Sequence, residues 1–108
     1  MILVTGANGF IGSVLVKDLN AKGHNELLLS DYVGLKKRPE LLSNAKYSKF
    51  IDPDELIANL DEYKELEAIF HIGACSSTTE TNWDFLEKVN LNYSKTLFKF
   101  CSHNNIPF

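Results

Sequence analysis

Apolar and polar positions fall into short blocks along this chain. Ile2 to Thr5 is a continuous apolar, β-rich run, the pattern of a parallel strand buried on both faces. Gly6 to Gly12 interrupts it, and a helical pattern runs on through Lys22. Ile11, Leu15 and Leu19 recur at i+4 and form the expected buried stripe of that helix. Gly23 is placed to stop it. Glu26 to Ser30 reads as a second strand, closed by Asp31. Residues 32–46 are looser, polar and basic, with Gly34 and Pro39 and room for a short helix around Glu40 to Ser43. Lys46 to Ile51 fits a short third strand.

Asp52-Pro53-Asp54-Glu55 is a helix start: Asp52 caps, Pro53 suits the first helical position, and Glu55 completes a capping box. Leu56, Leu60 and Tyr63 then share a face, and Glu67 to Ile72 supplies a fourth strand. Gly73 to Glu80 is a loop of small and hydroxyl residues. Thr81 can cap a following helix, with Asp84 at its third position. Leu86, Val89, Asn90, Tyr93, Leu97 and Phe100 form its apolar side, and it ends near His103. Ile106-Pro107-Phe108 reads as the start of a fifth strand. Strand and helix alternate, which predicts an α/β fold with a parallel sheet and right-handed crossovers. There is no internal repeat, low-complexity tract or linker, so residues 1–108 are expected to form one domain, truncated as its fifth strand begins.

Composition narrows the function classes. Of 108 residues 44% are hydrophobic, enough for a core, and the net charge of −3 gives no support for nucleic-acid or acidic-membrane binding. Lys36-Lys37-Arg38 is the one basic cluster. Nothing approaches the roughly 18 apolar residues of a membrane span, and Met1 to Thr5 is too short for a signal peptide. Cys75 and Cys101 lack metal or redox spacing, so they read as reduced, buried thiols of a cytoplasmic protein. His24, His71 and His103 are expected to be surface or hydrogen-bonded core residues, and no metal site is assigned.

The break between the first strand and helix carries the chemistry. Gly6, Gly9 and Gly12 are spaced Gly-x-x-Gly-x-x-Gly. A pyrophosphate must come close to backbone here, and side chains would block it. The helix behind the loop turns its free N–H groups and positive dipole end toward the anion, and the last glycine lets helix and strand pack closely. Asp31 ends the next strand 19 residues after Gly12, the context a dinucleotide-binding Rossmann-type loop requires. Asp31 can accept hydrogen bonds from the adenosine ribose, or it can cap the next turn. Lys36, Lys37 and Arg38 can pair with a ribose 2′-phosphate, or they can be a solvated charge run. Asp31 thus pulls toward NAD and the trio toward NADP. Asn90 lies on the apolar stripe of its helix, where an amide is costly unless hydrogen-bonded. It either shapes the site or is a core asparagine satisfied by backbone.

The loop Thr5-Gly6-Ala7-Asn8-Gly9-Phe10-Ile11-Gly12 resembles that of the extended short-chain dehydrogenase/reductases, the NAD-dependent epimerase/dehydratase family. Within that family, Glu67-Ala68-Ile69-Phe70-His71-Ile72-Gly73-Ala74-Cys75-Ser76-Ser77-Thr78-Thr79-Glu80 is similar to the ADP-L-glycero-D-manno-heptose 6-epimerases, with Cys75 to Glu80 the most specific stretch. Asn90 to Lys95, containing Tyr93-Ser94-Lys95, fits the same group. The resemblance implies a doubly wound Rossmann-type sheet holding NADP, with NAD as the alternative. It places the backbone N–H groups of Phe10 and Ile11 at the pyrophosphate, Asp31 and Tyr32 at the ribose, and Arg38 at the 2′-phosphate. Ile72, Gly73, Ala74, Cys75 and Ser76 would line the cofactor's path. Ser76, Ser77, Thr78 and Thr79 would approach the sugar, and Asn90 would brace the helix and strand that shape the site.

The implied activity is inversion of C6 of an ADP-heptose for the lipopolysaccharide inner core, in a cytoplasmic homo-oligomer, a pentamer in the family. Other nucleotide-sugar epimerases or dehydratases, or a non-enzymatic NAD(P)-binding module, are the alternatives. Where members of the group can carry a lysine after the aspartate at position 52, this chain has Pro53. The family's catalytic Tyr-x-x-x-Lys and its Ser or Thr are expected beyond residue 108, so no catalytic residue is assigned and the chain is expected to be inactive alone. The literal match Tyr32-Val33-Gly34-Leu35-Lys36 is rejected, because it follows the second strand at the adenosine end and contains Gly34.

Overall fold

The computed structural model describes residues 1–37, 39–72 and 93–108. The strands are β1 (Ile2–Thr5), β2 (Leu27–Ser30), β3 (Lys49–Ile51) and β4 (Ala68–His71). Between and after them run α1 (Phe10–Ala21), α2 (Pro53–Ala58), a 3-10 turn (Leu60–Tyr63) and α3 (Tyr93–Asn104). The sheet order is β3-β2-β1-β4, and all three strand pairs are parallel. This is the expected α/β Rossmann-like arrangement. The sheet is buried on both faces, so its central strands alternate between two cores. Ile2, Val4, Leu27 and Leu29 pack with Val16 and Leu19 of α1. Leu3, Leu28 and Ile69 pack on the opposite face with Leu56 of α2 and with Leu97 and Phe100 of α3.

Local chemistry sets several boundaries. Gly23 takes φ +91°, and His24 N donates to Leu19 O at 2.9 Å while Gly23 N donates to Asn20 O at 3.0 Å. This is a Schellman end, and the left-handed residue in it is the expected glycine. Asn105, at φ 55°, ends α3 in the same way, with Ile106 N on Cys101 O at 3.0 Å. The Asp52 carboxylate accepts from Asp54 N and Glu55 N and starts α2 with Pro53 in its first turn.

Four expectations need correction. Ile11 is 73% exposed; Leu19 is buried as expected and Leu15 half-buried, but the rest of the buried face of α1 is Gly12, Ser13 and Val16. Gly12, which has no Cβ, sits directly against the Gly6 and Ala7 backbone, and this turns the buried face of the helix toward Gly12 and Val16. Glu40 to Ser43 forms hydrogen-bonded turns rather than a helix, with Ser43 Oγ on Glu40 O and Ala45 N on Leu42 O. Residues 46–48 stop short of β3: Lys46 is held at both its N–H and C=O by the Asn20 side chain. The Ile106 to Phe108 segment carries no strand, although Pro107 O accepts from Ile69 N of β4 at 2.9 Å. Among the described residues no helix is long and apolar enough to cross a membrane, and no cluster of His, Cys, Asp and Glu could hold a metal.

Candidate cofactor site at the carboxyl ends of the strands

Thr5, Ser30, Ile51 and His71 are the last residues of their strands and stand in one register across the sheet. The row is stitched laterally. Ser30 Oγ donates to Ile51 O at 2.7 Å. Thr5 Oγ1 and His71 Nδ1 share a hydrogen bond at 2.7 Å, and His71 Nε2 and Ser94 Oγ of α3 share another at 2.7 Å. Both ring nitrogens of His71 are therefore occupied, and burial pushes its pKa down. The strand order runs outward from β1 in both directions, to β2 and β3 on one side and to β4 on the other. In open α/β sheets the crevice at that reversal is where ligands bind.

The glycine loop opens onto this crevice. Gly6 takes φ +66°, which frees the chain to turn sharply out of β1. A Cβ on Gly12 would lie 2.0 Å from Gly6 O and 2.8 Å from Gly6 C, so only glycine lets α1 sit against the loop. The loop's own amides are engaged by the protein: Ala7 N on Ser30 O at 3.2 Å, Asn8 N on Asp31 Oδ2 at 2.9 Å, Gly9 N on Gly6 O at 3.2 Å. The helix then begins at Phe10 with Gly9 as its cap, without a side-chain cap and without an acidic residue in the first turn. A positive helix end lacking both suits an external anion. Phe10 and Ile11 are exposed there, at 75% and 73%.

Asp31 is held from two sides, by Asn8 N on Oδ2 and by Val33 N on Oδ1, both at 2.9 Å. The bond from Val33 is the turn-capping role, and it coexists with a half-exposed carboxylate at the end of β2. Tyr32 also packs on α3, edge-on to Tyr93 at 6.2 Å, with its hydroxyl on Asp54 Oδ1 at 3.3 Å. Burial and the Asp54 carboxylate push its pKa up to about 12. The Tyr32 hydroxyl is thus engaged by Asp54, and Lys36 lies exposed on the turn that follows β2. Ile72 follows β4 directly, donates to Thr5 O at 3.3 Å and is 38% exposed, on the same strand edge as the glycine loop. Arg38, Gly73, Ala74, Cys75, Ser76, Ser77, Thr78, Thr79 and Asn90 lie outside the described residues. Cys101 is buried with its thiol pKa raised by desolvation, as expected for a core thiol.

Two features were not foreseen from sequence. One is the Thr5–His71–Ser94 chain. The other is Asn8, 0% exposed, whose side-chain amide donates to Val33 O at 3.3 Å and Gly34 O at 3.0 Å. The available signal was weak: a polar residue between two loop glycines, where any small residue would serve the turn.

The model of the NAD dependent epimerase/dehydratase family matches residues 2–108. This chain belongs to that family. Among solved structures it is similar to the Bordetella bronchiseptica enzyme WbmG in complex with NAD and UDP, at 27% identity and TM-score 0.75, covering 97% of this chain and 34% of that one. It is similar to the L-threonine 3-dehydrogenase of Trypanosoma brucei, at 28% identity and TM-score 0.72, covering 97% and 34%. The Helicobacter pylori ADP-L-glycero-D-manno-heptose-6-epimerase shares the fold at 21% identity and TM-score 0.77, covering 97% and 36%. The chain thus spans about a third of the length of these structures.

Proposed function

We propose that this chain holds the nicotinamide dinucleotide of an epimerase that inverts C6 of an ADP-linked glycero-manno-heptose by transient oxidation and reduction. The observation that carries the cofactor half is the start of α1, without a side-chain cap or an acidic residue in its first turn, behind a glycine loop anchored to the Asp31 carboxylate. The first turn of α1 meets the pyrophosphate, and Asp31, fixed by two backbone N–H groups, accepts from the adenosine ribose. Gly6 and Gly12 keep the helix close enough to β1 for this. A bound nicotinamide would supply reversible hydride exchange at the sugar carbon, with no net consumption of cofactor. The heptose half rests on the sequence Cys75-Ser76-Ser77-Thr78-Thr79-Glu80, with Asn90 bracing the adjoining helix. The same resemblance supports a homo-oligomeric parent protein, a cytoplasmic setting and a product used in the lipopolysaccharide inner core. A second reading, a different nucleotide-sugar epimerase, is favoured by the 27% identity to the UDP- and NAD-bound WbmG.

NADP is proposed first on the strength of Lys36, Lys37 and Arg38, with NAD supported by Asp31. Competitive titration at two salt concentrations separates them: NADP carries an extra phosphate, so its affinity falls more steeply with salt. The activity proposal is tested with the purified chain and with its coding sequence. The chain is expected to bind one dinucleotide and to leave ADP-heptose unchanged. The reading frame is expected to continue into a Tyr-x-x-x-Lys segment. Epimerisation by the 108-residue chain alone, or a stop codon directly after Phe108, would sink the proposal.

A further inference from the structure

The loops after β1 and β2 are joined through one buried side chain. Asn8 donates its main-chain N–H to Asp31 Oδ2 at 2.9 Å and its amide to Val33 O at 3.3 Å and Gly34 O at 3.0 Å. Val33 N closes the ring by donating to Asp31 Oδ1 at 2.9 Å. The backbone adds Ala7 N on Ser30 O at 3.2 Å. The glycine turn itself does not need an amide at position 8: the conformational demand falls on Gly6 and the steric demand on Gly12. The amide Nδ2 donates twice to the neighbouring loop, which carries the Asp31 carboxylate and leads into Lys36, Lys37 and Arg38.

We infer that Asn8 is a positioning residue that couples the pyrophosphate end of the cofactor site to its ribose end. It holds the Asp31–Gly34 loop at a fixed distance from the glycine loop, so a dinucleotide finds both halves preorganised. The coupling rests on the dinucleotide reading above. It makes a specific demand: a ligand spanning both loops must feel the loss of Asn8, and a ligand touching only the glycine loop must not. Preorganisation lowers the ordering cost of binding rather than adding contacts.

The test uses the whole chain with Asn8→Ala and Asn8→Ser, and two probes, NAD and inorganic pyrophosphate. Asn8→Ala is expected to weaken NAD by about tenfold or more, the scale of losing paired buried hydrogen bonds. Pyrophosphate affinity should stay within about twofold, and Asn8→Ser, which keeps one donor, should fall between. Asp31→Ala should cost NAD binding much less in the Asn8→Ala background than in the parent, the non-additivity of coupled residues. Additive losses, or equal weakening of both probes, overturn the inference.

A ligand-free readout keeps it separate from the dinucleotide reading. In the unliganded parent, the amide hydrogens of Asn8 and Val33 are expected to exchange slowly and at similar rates, because both are bound by one carboxylate. Exchange rates differing by more than about tenfold overturn the coupling even if no variant folds. A parent chain that shows the matched exchange but binds no dinucleotide refutes the cofactor reading instead.

Discussion

Replacing Gly12 by alanine places a Cβ 2.0 Å from Gly6 O, 2.8 Å from Gly6 C and 3.0 Å from Ala7 Cα. All three are backbone atoms, so no rotamer can yield. Restoring ordinary contact requires α1 to retreat by roughly 1.5 Å, since non-bonded heavy atoms settle near 3.5 Å. That retreat loosens Val16 and Leu19 from Ile2, Val4, Leu27 and Leu29. Overpacking of this kind costs about 3 kcal/mol, and the helix-propensity gain of alanine offsets at most about 1 kcal/mol. The net loss is about 2–3 kcal/mol, or a drop in Tm of about 10–20 °C for a domain of this size.

Gly9→Ala is the matched control. Its Cβ would meet Gly6 O at 3.5 Å, an ordinary contact, at a residue with φ −98°. It should cost within about 1 kcal/mol of stability, chiefly as a poorer N-cap, while impairing dinucleotide binding by crowding the approach to the loop. Urea denaturation followed by circular dichroism, with NAD titration of the folded variants, reads both effects. A Gly12→Ala chain melting within about 3 °C of the parent would refute the close-packing argument.

Three other outcomes follow from the same structure. Asp52→Ala removes the carboxylate that accepts from Asp54 N and Glu55 N, and should cost about 1 kcal/mol in urea unfolding; an unchanged midpoint would mean that packing of Pro53 and Leu56 alone starts α2. His71 titrates below its ordinary value because of burial, so the unfolded chain binds its proton first as pH falls. The stability this gives is complete above about pH 6.5 and declines as pH drops from there toward the folded pKa; His71→Gln should flatten that part of the profile, and an equal slope in parent and variant would exclude His71 as its source. Phe70, Ile72, Phe98 and Phe108 are 38%, 38%, 58% and 50% exposed around the β4 side of the sheet, so the isolated chain should self-associate; a stable monomer in sedimentation at high concentration would contradict this.

The sequence by itself determined what local chemistry can write. The Gly23 stop, the Asp52 cap and the buried strands were legible because each depends on residues a few positions apart. The glycine loop was legible for the same reason: strand, turn and helix start are contiguous in the chain. What only the tertiary structure decided are choices between near-equal local options and contacts across long separations. The buried face of α1 turned from Ile11 to Gly12 and Val16 because the sheet and the loop, not the periodicity, select the row that fits. Asn8 reaches Gly34 across 26 positions, and Thr5 reaches His71 across 66. No pattern along the chain marks such pairs, since they exist only once parallel strands bring their carboxyl ends into one register.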